Sequence, residues 1–186
     1  MFVVRSYSRG GQGAVTASTL LGTALLYEGK YATSLGVYGP VRRGAPVTVF
    51  IRISDKPIAT KDWPKQFDCI IVADPKIEKM MDITEGFKGG GIAVLNTRAN
   101  PEDVQLKIKP SKIGVVDATG IALDVFGPAA IPVTTTAMLG AFSKTTGMVS
   151  VDSISKAVKE MWTGSTAEKN VEAVRRAHEA VKVIEL

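Results

Sequence analysis

The sequence predicts an α/β fold, an open and mostly parallel sheet with flanking helices. Three observations predict it. Short apolar, β-branched runs alternate with amphipathic helical stretches along the chain. A glycine-rich loop, Arg9-Gly10-Gly11-Gln12-Gly13, joins the first strand-like run to the first helix-like one. Cys69-Ile70-Ile71-Val72-Ala73 is apolar throughout, as a central parallel strand buried on both faces must be. The class is Rossmann-like, and in open sheets of this kind ligands bind at the carboxyl ends of the strands.

Each element has its own reason. Residues 2–8 are rich in β-branched and aromatic side chains and read as the first strand. After the glycine loop, Ala17, Leu20, Leu21, Ala24 and Leu25 fall on one helical face, so residues 14–28 read as a helix. Gly29 is a natural residue to follow its end. Residues 31–37 and 47–53 read as strands, separated by Tyr38-Gly39-Pro40-Val41-Arg42-Arg43-Gly44-Ala45-Pro46, and Ser54-Asp55-Lys56-Pro57 is a turn. The apolar strand covers 67–73, and a short helix with proline in its first turn covers 74–81. Gly89-Gly90-Gly91 reads as a turn before a strand over 92–95, closed by Asn96-Thr97. A further strand covers 113–116 and a helix 117–125. Residues 134–144 form a helix with a small-residue face (Ala137, Gly140, Ala141). Two amphipathic helices, 151–162 and 166–184, complete the chain, the last with a stripe of Val171, Val174, Ala177, Val181 and Ile184. Residues 1–186 are expected to make a single domain, with about 150–186 a C-terminal helical element.

Composition closes several functional classes. The 186 residues include 23 lysines and arginines against 18 aspartates and glutamates, a net charge of +5. That suits an anionic ligand or an acidic partner, but no basic run marks a nucleic-acid arm. With one cysteine, Cys69, and one histidine, His178, the chain makes no internal disulfide. It has no cysteine–histidine zinc site and cannot hold an iron–sulfur cluster alone. Cys69 sits in an apolar run and His178 in a polar tail helix, which argues against a nucleophile–base pair. The N-terminal residues lack the pattern of a signal peptide, and no apolar stretch is long enough to span a bilayer. A cytoplasmic location is expected.

The glycine loop can do chemistry of one kind. Backbone N–H groups at a helix start attract anions, and glycine lets the backbone come close. Two familiar phosphate motifs fail. No lysine follows Gly13, as a Walker loop requires. The dinucleotide pattern read from Gly11 ends on Thr16, and residues 31–38 hold no acidic side chain for a ribose. On the residues alone, a bare tight turn and a phosphate-bearing ligand both stay open. Arg42-Arg43 lies on a loop stiffened by Pro40 and Pro46, suited to bidentate contacts with phosphate or carboxylate, or to salt bridges with a neighbouring subunit. Asn96 is either a cap or a polar ligand contact. Trp63 and Trp162 read as packing or interface residues, and the carboxylates are too scattered to form an acid–base pair. A ligand loop without reaction machinery suggests a subunit.

The Arg9-Gly10-Gly11-Gln12-Gly13 loop, the 38–46 segment and Met138-Leu139-Gly140-Ala141-Phe142 occur in this order, with Asn96-Thr97 and Asp117-Ala118-Thr119 between. Together they resemble the gamma subunit of 2-oxoacid:ferredoxin oxidoreductases, most closely the pyruvate (pyruvate synthase) type. The likeness runs from Phe2 to about Trp162. It implies CoA-dependent oxidative decarboxylation of a 2-oxoacid to acyl-CoA, CO2 and reduced ferredoxin. It also implies alpha, beta and ferredoxin-like delta subunits, with ferredoxin as the electron partner. Thiamine diphosphate, magnesium and [4Fe–4S] clusters would belong to the other subunits, and coenzyme A would be the co-substrate. Carried over, the likeness places Gly10, Gly11, Gln12 and Gly13 near phosphate, Arg42 and Arg43 as cationic contacts and Asn96 as a polar contact, with no catalytic residue in this chain. Where relatives carry asparagine-threonine before the Met-Leu-Gly-Ala-Phe stretch, this chain has Thr135-Thr136, which are left out of the expected site. The alternatives are a purely structural subunit, specificity for the branched-chain 2-oxoisovalerate, and a stand-alone nucleotide-binding protein.

Overall fold

The structure is a computed structural model and describes residues 1–37, 43–60 and 62–186. Seven strands form one sheet among these residues: β1 (Phe2–Arg9), β2 (Tyr31–Val37), β3 (Pro46–Ser54), β4 (Phe67–Val72), β5 (Phe87–Asn96), β6 (Lys112–Val116) and β7 (Lys182–Glu185). Five α-helices accompany them: α1 (Ala14–Tyr27), α2 (Ala118–Phe126), α3 (Thr135–Thr146), α4 (Val151–Met161) and α5 (Gly164–Ala180). The strand order is β2-β3-β1-β4-β5-β6-β7. β1, β4, β5 and β6 pair in parallel, while β3 and β7 run against their neighbours. Five of the seven strands therefore point the same way, and the mostly parallel α/β expectation holds.

The main core lies on one face of the sheet. Leu20, Leu21 and Leu25 of α1 are fully buried there against Val4, Ile51 and Cys69, together with Ile121, Phe142, Ile154 and Val174 from the other four helices. Each such leucine stabilises the fold by about 2 kcal/mol through the apolar area it removes from water. The opposite face is closed without an α-helix. Tyr7, Ile70, Val72 and Leu95 pack there against Ile77, Ile83 and Phe87.

Three expected elements differ. The stretch after Asp74 is a 3-10 turn, Pro75–Lys79, capped by the Asp74 carboxylate, which accepts from the Lys76 amide at 2.9 Å. Gly89-Gly90-Gly91 is part of β5, not a turn before it. A Cβ at Gly91 would meet the Asp68 carbonyl at 2.7 Å, so glycine there allows β5 to lie close to β4. The last helix ends at Ala180, and residues 182–185 pair antiparallel with β6. Val181 and Ile184 keep a helical spacing in sequence. However, they are β-branched, and β6 would otherwise have an unpaired edge. Val181 stays in the helix-side core, while Ile184 packs on the opposite face.

Candidate ligand site at the glycine loop

The carboxyl ends of β1, β4, β5 and β6 line up at one edge, with Tyr7 beside Val72, Val72 beside Leu95 and Asn96 beside Val116. The glycine loop leaves β1 at this edge. Gly11 (φ 97°) and Gly13 (φ 82°) both occupy the left-handed region, which is why these positions need glycine. Gly10 is tied into the fold: its N–H donates to the Ala45 carbonyl at 2.8 Å, and its own carbonyl accepts from the Gly44 N–H at 3.0 Å. This clamp extends the β1–β3 ladder and sets the exposed Arg43 beside Gly11, where a Cβ would stand 3.9 Å from the Arg43 Cγ.

Behind the loop, Asp74 is the hub. It is 4% exposed and accepts from the Arg9 Nε at 2.6 Å and from the Gln12 Nε2 at 2.9 Å, with the Arg9 Nη2 also at 2.6 Å. Gln12 is 1% exposed. Its Nε2 donates a second bond to the Pro132 carbonyl (3.2 Å), and its Oε1 accepts from the Arg9 N–H (2.7 Å). Asn96 is bound in the same way. Its Nδ2 donates to the Ala73 carbonyl (2.8 Å) and the Thr119 Oγ1 (2.9 Å), while its Oδ1 accepts from the Thr119 N–H (3.2 Å). Both amide hydrogens of Gln12 and of Asn96 are engaged within the chain, so these two side chains brace the site from inside.

The helix starts differ among themselves. The α2 start is closed by Asp117, which accepts from the Gly120 N–H at 2.8 Å, and the α4 start by Ser150, which accepts from the Ser153 N–H at 3.1 Å. At α1, α3 and α5, no side chain caps the N-terminus and no acidic residue stands in the first turn. In α1 the first helical bond runs from Ala17 to the Gly13 carbonyl (2.9 Å), so the amides of Ala14, Val15 and Thr16 precede it. In α3 it runs from Met138 to the Thr134 carbonyl (3.0 Å). The Thr134 hydroxyl turns away to donate to the Ala73 carbonyl (2.8 Å), and the Thr135 hydroxyl donates to the Gln12 carbonyl. All three open starts line one cavity of about 300 Å³, with Gly13 and Thr16 from α1, Thr135 and Thr136 from α3, and Thr166, Lys169 and Asn170 from α5.

Of the residues expected at the site, Gly10, Gly11, Gln12 and Gly13 form one loop with Arg43 beside it, and Asn96 lies at the same sheet edge. Arg42 lies outside the described residues. Sequence reasoning missed Asp74 and the α3 start. Asp74 had a signal, since it directly follows the apolar strand, at the carboxyl end where polar residues gather around ligands. Thr135 and Thr136, set aside on the sequence, lie at the α3 start that meets the loop. Val133, Trp162 and Lys169 reach the same cavity and were not foreseen there.

Cys69 is fully buried, and burial pushes its thiol far above the ordinary range. Among the described residues no group of three or more His, Cys, Asp and Glu side chains gathers to hold a metal ion. An iron–sulfur cluster, with its four thiolates, does not fit this chain. No helix among the described residues is long and apolar enough to cross a membrane.

Fold and loop thus define an α/β module with open helix starts at the carboxyl edge of its sheet. The chain belongs to the pyruvate ferredoxin/flavodoxin oxidoreductase family, which it matches over residues 3–180. It is 46% identical to the common gamma subunit of the pyruvate/ketoisovalerate oxidoreductases of Thermococcus kodakarensis, over the full length of both chains. It is 41% identical to the pyruvate synthase subunit PorC of Methanothermobacter marburgensis, covering 98% of each. The crystal structure of pyruvate oxidoreductase subunit PORC from Thermotoga maritima superposes with a TM-score of 0.82 at 35% identity, covering 99% of this chain and 98% of that one. The chain is a gamma-type subunit of a 2-oxoacid oxidoreductase.

Proposed function

We propose that this subunit holds the phosphates of coenzyme A at the glycine loop of a multisubunit pyruvate:ferredoxin oxidoreductase. One observation carries the reading. The α1 and α3 starts meet without caps at Gly13 and Thr135, and Arg43 stands beside Gly11. Uncapped N–H groups and two helix dipoles meet there with the Arg43 side chain beside the loop, a combination that suits a pyrophosphate. Gly11 and Gly13 offer backbone, Arg42 and Arg43 offer charge, and Gly10, Gln12 and Asn96 fix the loop's shape. The subunit transfers no proton or electron in this reading. It binds and orients the acyl acceptor.

Thiamine diphosphate with magnesium, and the [4Fe–4S] clusters, supply decarboxylation and electron transfer from the alpha, beta and delta subunits, with ferredoxin as acceptor in the cytoplasm. Pyruvate is the favoured 2-oxoacid. The choice between it and a branched-chain acid belongs to the other subunits, as the name of the Thermococcus relative, a gamma subunit common to both enzymes, suggests.

The test is the double variant Arg42→Ala with Arg43→Ala in the intact complex. The KM for coenzyme A is expected to rise at least about tenfold, since one charge-assisted hydrogen bond is worth about 1.5–3 kcal/mol. Pyruvate decarboxylation without coenzyme A is expected to change little. Equal loss of both activities would support a purely structural role for the subunit.

A further inference from the structure

Helix α1 carries no charged residue from Ala14 to Tyr27, whereas each of the other four helices carries at least one. α4 and α5 expose Lys159, Glu160, Glu168 and Arg175, as surface helices normally do. α1 instead presents a stripe of Val15, Thr19, Gly22 and Leu26, with Val15 49% and Leu26 60% exposed. Gly22 sets this stripe on the β2 side of the helix, since a Cβ there would stand 3.9 Å from the Ala32 Cβ. β2 has the same character. It pairs only with β3 among the described residues, at the edge of the sheet, and its seven residues hold no charge and no proline. The opposite edge, β7, is four residues long and ends in Lys182 and Glu185. Edges that face water are kept short or charged in that way, because their unpaired N–H and C=O groups otherwise recruit another strand. Glu28 and Lys30, the charges between α1 and β2, are turned to the Ser150 N–H and the Met148 carbonyl.

We propose that α1 and β2 meet a second copy of this chain across a twofold axis through Ser34, so that two β2 strands pair antiparallel and the two sheets become one. The side-chain pattern selects this occupant. Ser34 is the midpoint of the strand, and about it Ala32 stands opposite Gly36 and Thr33 opposite Leu35, so no like charges face each other. The α1 stripe reads large, small, small, large, and it therefore fits its own copy run in reverse. Leu26 packs on the second copy's Val15, while Thr19 and Gly22 let the two helices approach where they cross. A twofold interface requires such self-complementarity, because the same surface serves both partners. A different subunit would need no such symmetry. Since the two β2 strands run in opposite directions, the two glycine loops lie at opposite ends of the joined sheet and neither is covered.

The experiment is site-directed cross-linking in the purified complex. Ser34 is exposed, and on the axis it meets its own copy with Cα atoms about 4.5–5.5 Å apart, within the reach of a disulfide. Ser34→Cys under mild oxidation is therefore expected to join two copies of this chain covalently. Cys69 is buried, so the unchanged chain is expected to give no such product. Glu172→Cys, at an exposed position on α5, is the matching negative control. In sedimentation the isolated chain is expected to run at twice its single-chain mass. Leu26→Lys combined with Ser34→Lys sets like charges across the axis at two exposed positions. It is expected to raise the dimer dissociation constant at least about tenfold, with the circular dichroism of the fold unchanged. Cross-linking of the Ser34→Cys chain to a different subunit would overturn the proposal, because another chain would then occupy this edge. A chain that stays monomeric and gives no self-cross-link in the complex would overturn it as well, as would a dimer indifferent to the two lysines.

Discussion

Helices α2 and α4 begin with a side chain that closes the N-terminus, whereas α1, α3 and α5 begin without one. The closed starts belong to the scaffold. Asp117 and Ser150 satisfy orphan N–H groups there, and Glu28 accepts from the Ser150 N–H at 2.7 Å as a further tie. The open starts share a cavity: Gly13 at the α1 start has no side chain to cap with, and the Thr134 hydroxyl at the α3 start turns to the Ala73 carbonyl. A cap is worth about 1 kcal/mol of stability. Three starts leave it unused at the place where the subunit is proposed to meet an anion, and two use it where no ligand is proposed. The difference separates residues that build the fold from residues that leave room for a guest.

Four variants break or sharpen this contrast. Asp74→Ala has the largest expected effect. It strands the buried Arg9 guanidinium and the Gln12 amide and is expected to cost about 3–5 kcal/mol in chemical denaturation. Gly140→Ala comes next. A methyl there overlaps the Val174 carbonyl, pushes α3 away from α5 and is expected to cost about 1–3 kcal/mol, with weaker coenzyme A binding in the complex as the cavity changes shape. Asp117→Ala and Ser150→Ala each remove a cap from a closed start. Each is expected to cost about 1 kcal/mol in thermal unfolding and to leave the KM for coenzyme A unchanged. Thr163→Asp adds a cap to the open start of α5. Stability is expected to gain a few tenths of a kcal/mol. The KM for coenzyme A is expected to rise about two- to fivefold, matching the roughly 0.3–1 kcal/mol that a charge exerts at a helix start. A closed-start variant that weakened coenzyme A binding as much as Thr163→Asp would remove the distinction.

Much of this was legible in the residues. The loop was visible because Gly11 and Gly13 adopt a backbone conformation that other residues rarely tolerate, and the α1 core face because leucines at helical spacing have one reading. The chemical types of Gln12 and Asn96 were also plain. Which way their amides turn was not, since that depends on Asp74, Pro132, Ala73 and Thr119, brought together only by the fold. The same holds for Thr135, Trp162 and Lys169, which come from separate helices. β7 was hidden because Val181 and Ile184 continue the spacing of α5, so the sequence pattern favoured a helix that the free edge of β6 overrode. Gly89-Gly90-Gly91 carried a turn signal by composition, while the three lie within β5 and Gly91 lets β5 lie close to β4.

The most direct test is the structure of the purified complex with coenzyme A bound. The account predicts density for the pyrophosphate against the amides of Gly13 to Thr16, at hydrogen-bonding distances of about 2.7–3.2 Å, with a cationic contact from the 42–43 pair. Coenzyme A held entirely by other subunits, with the glycine loop facing empty solvent, would contradict it.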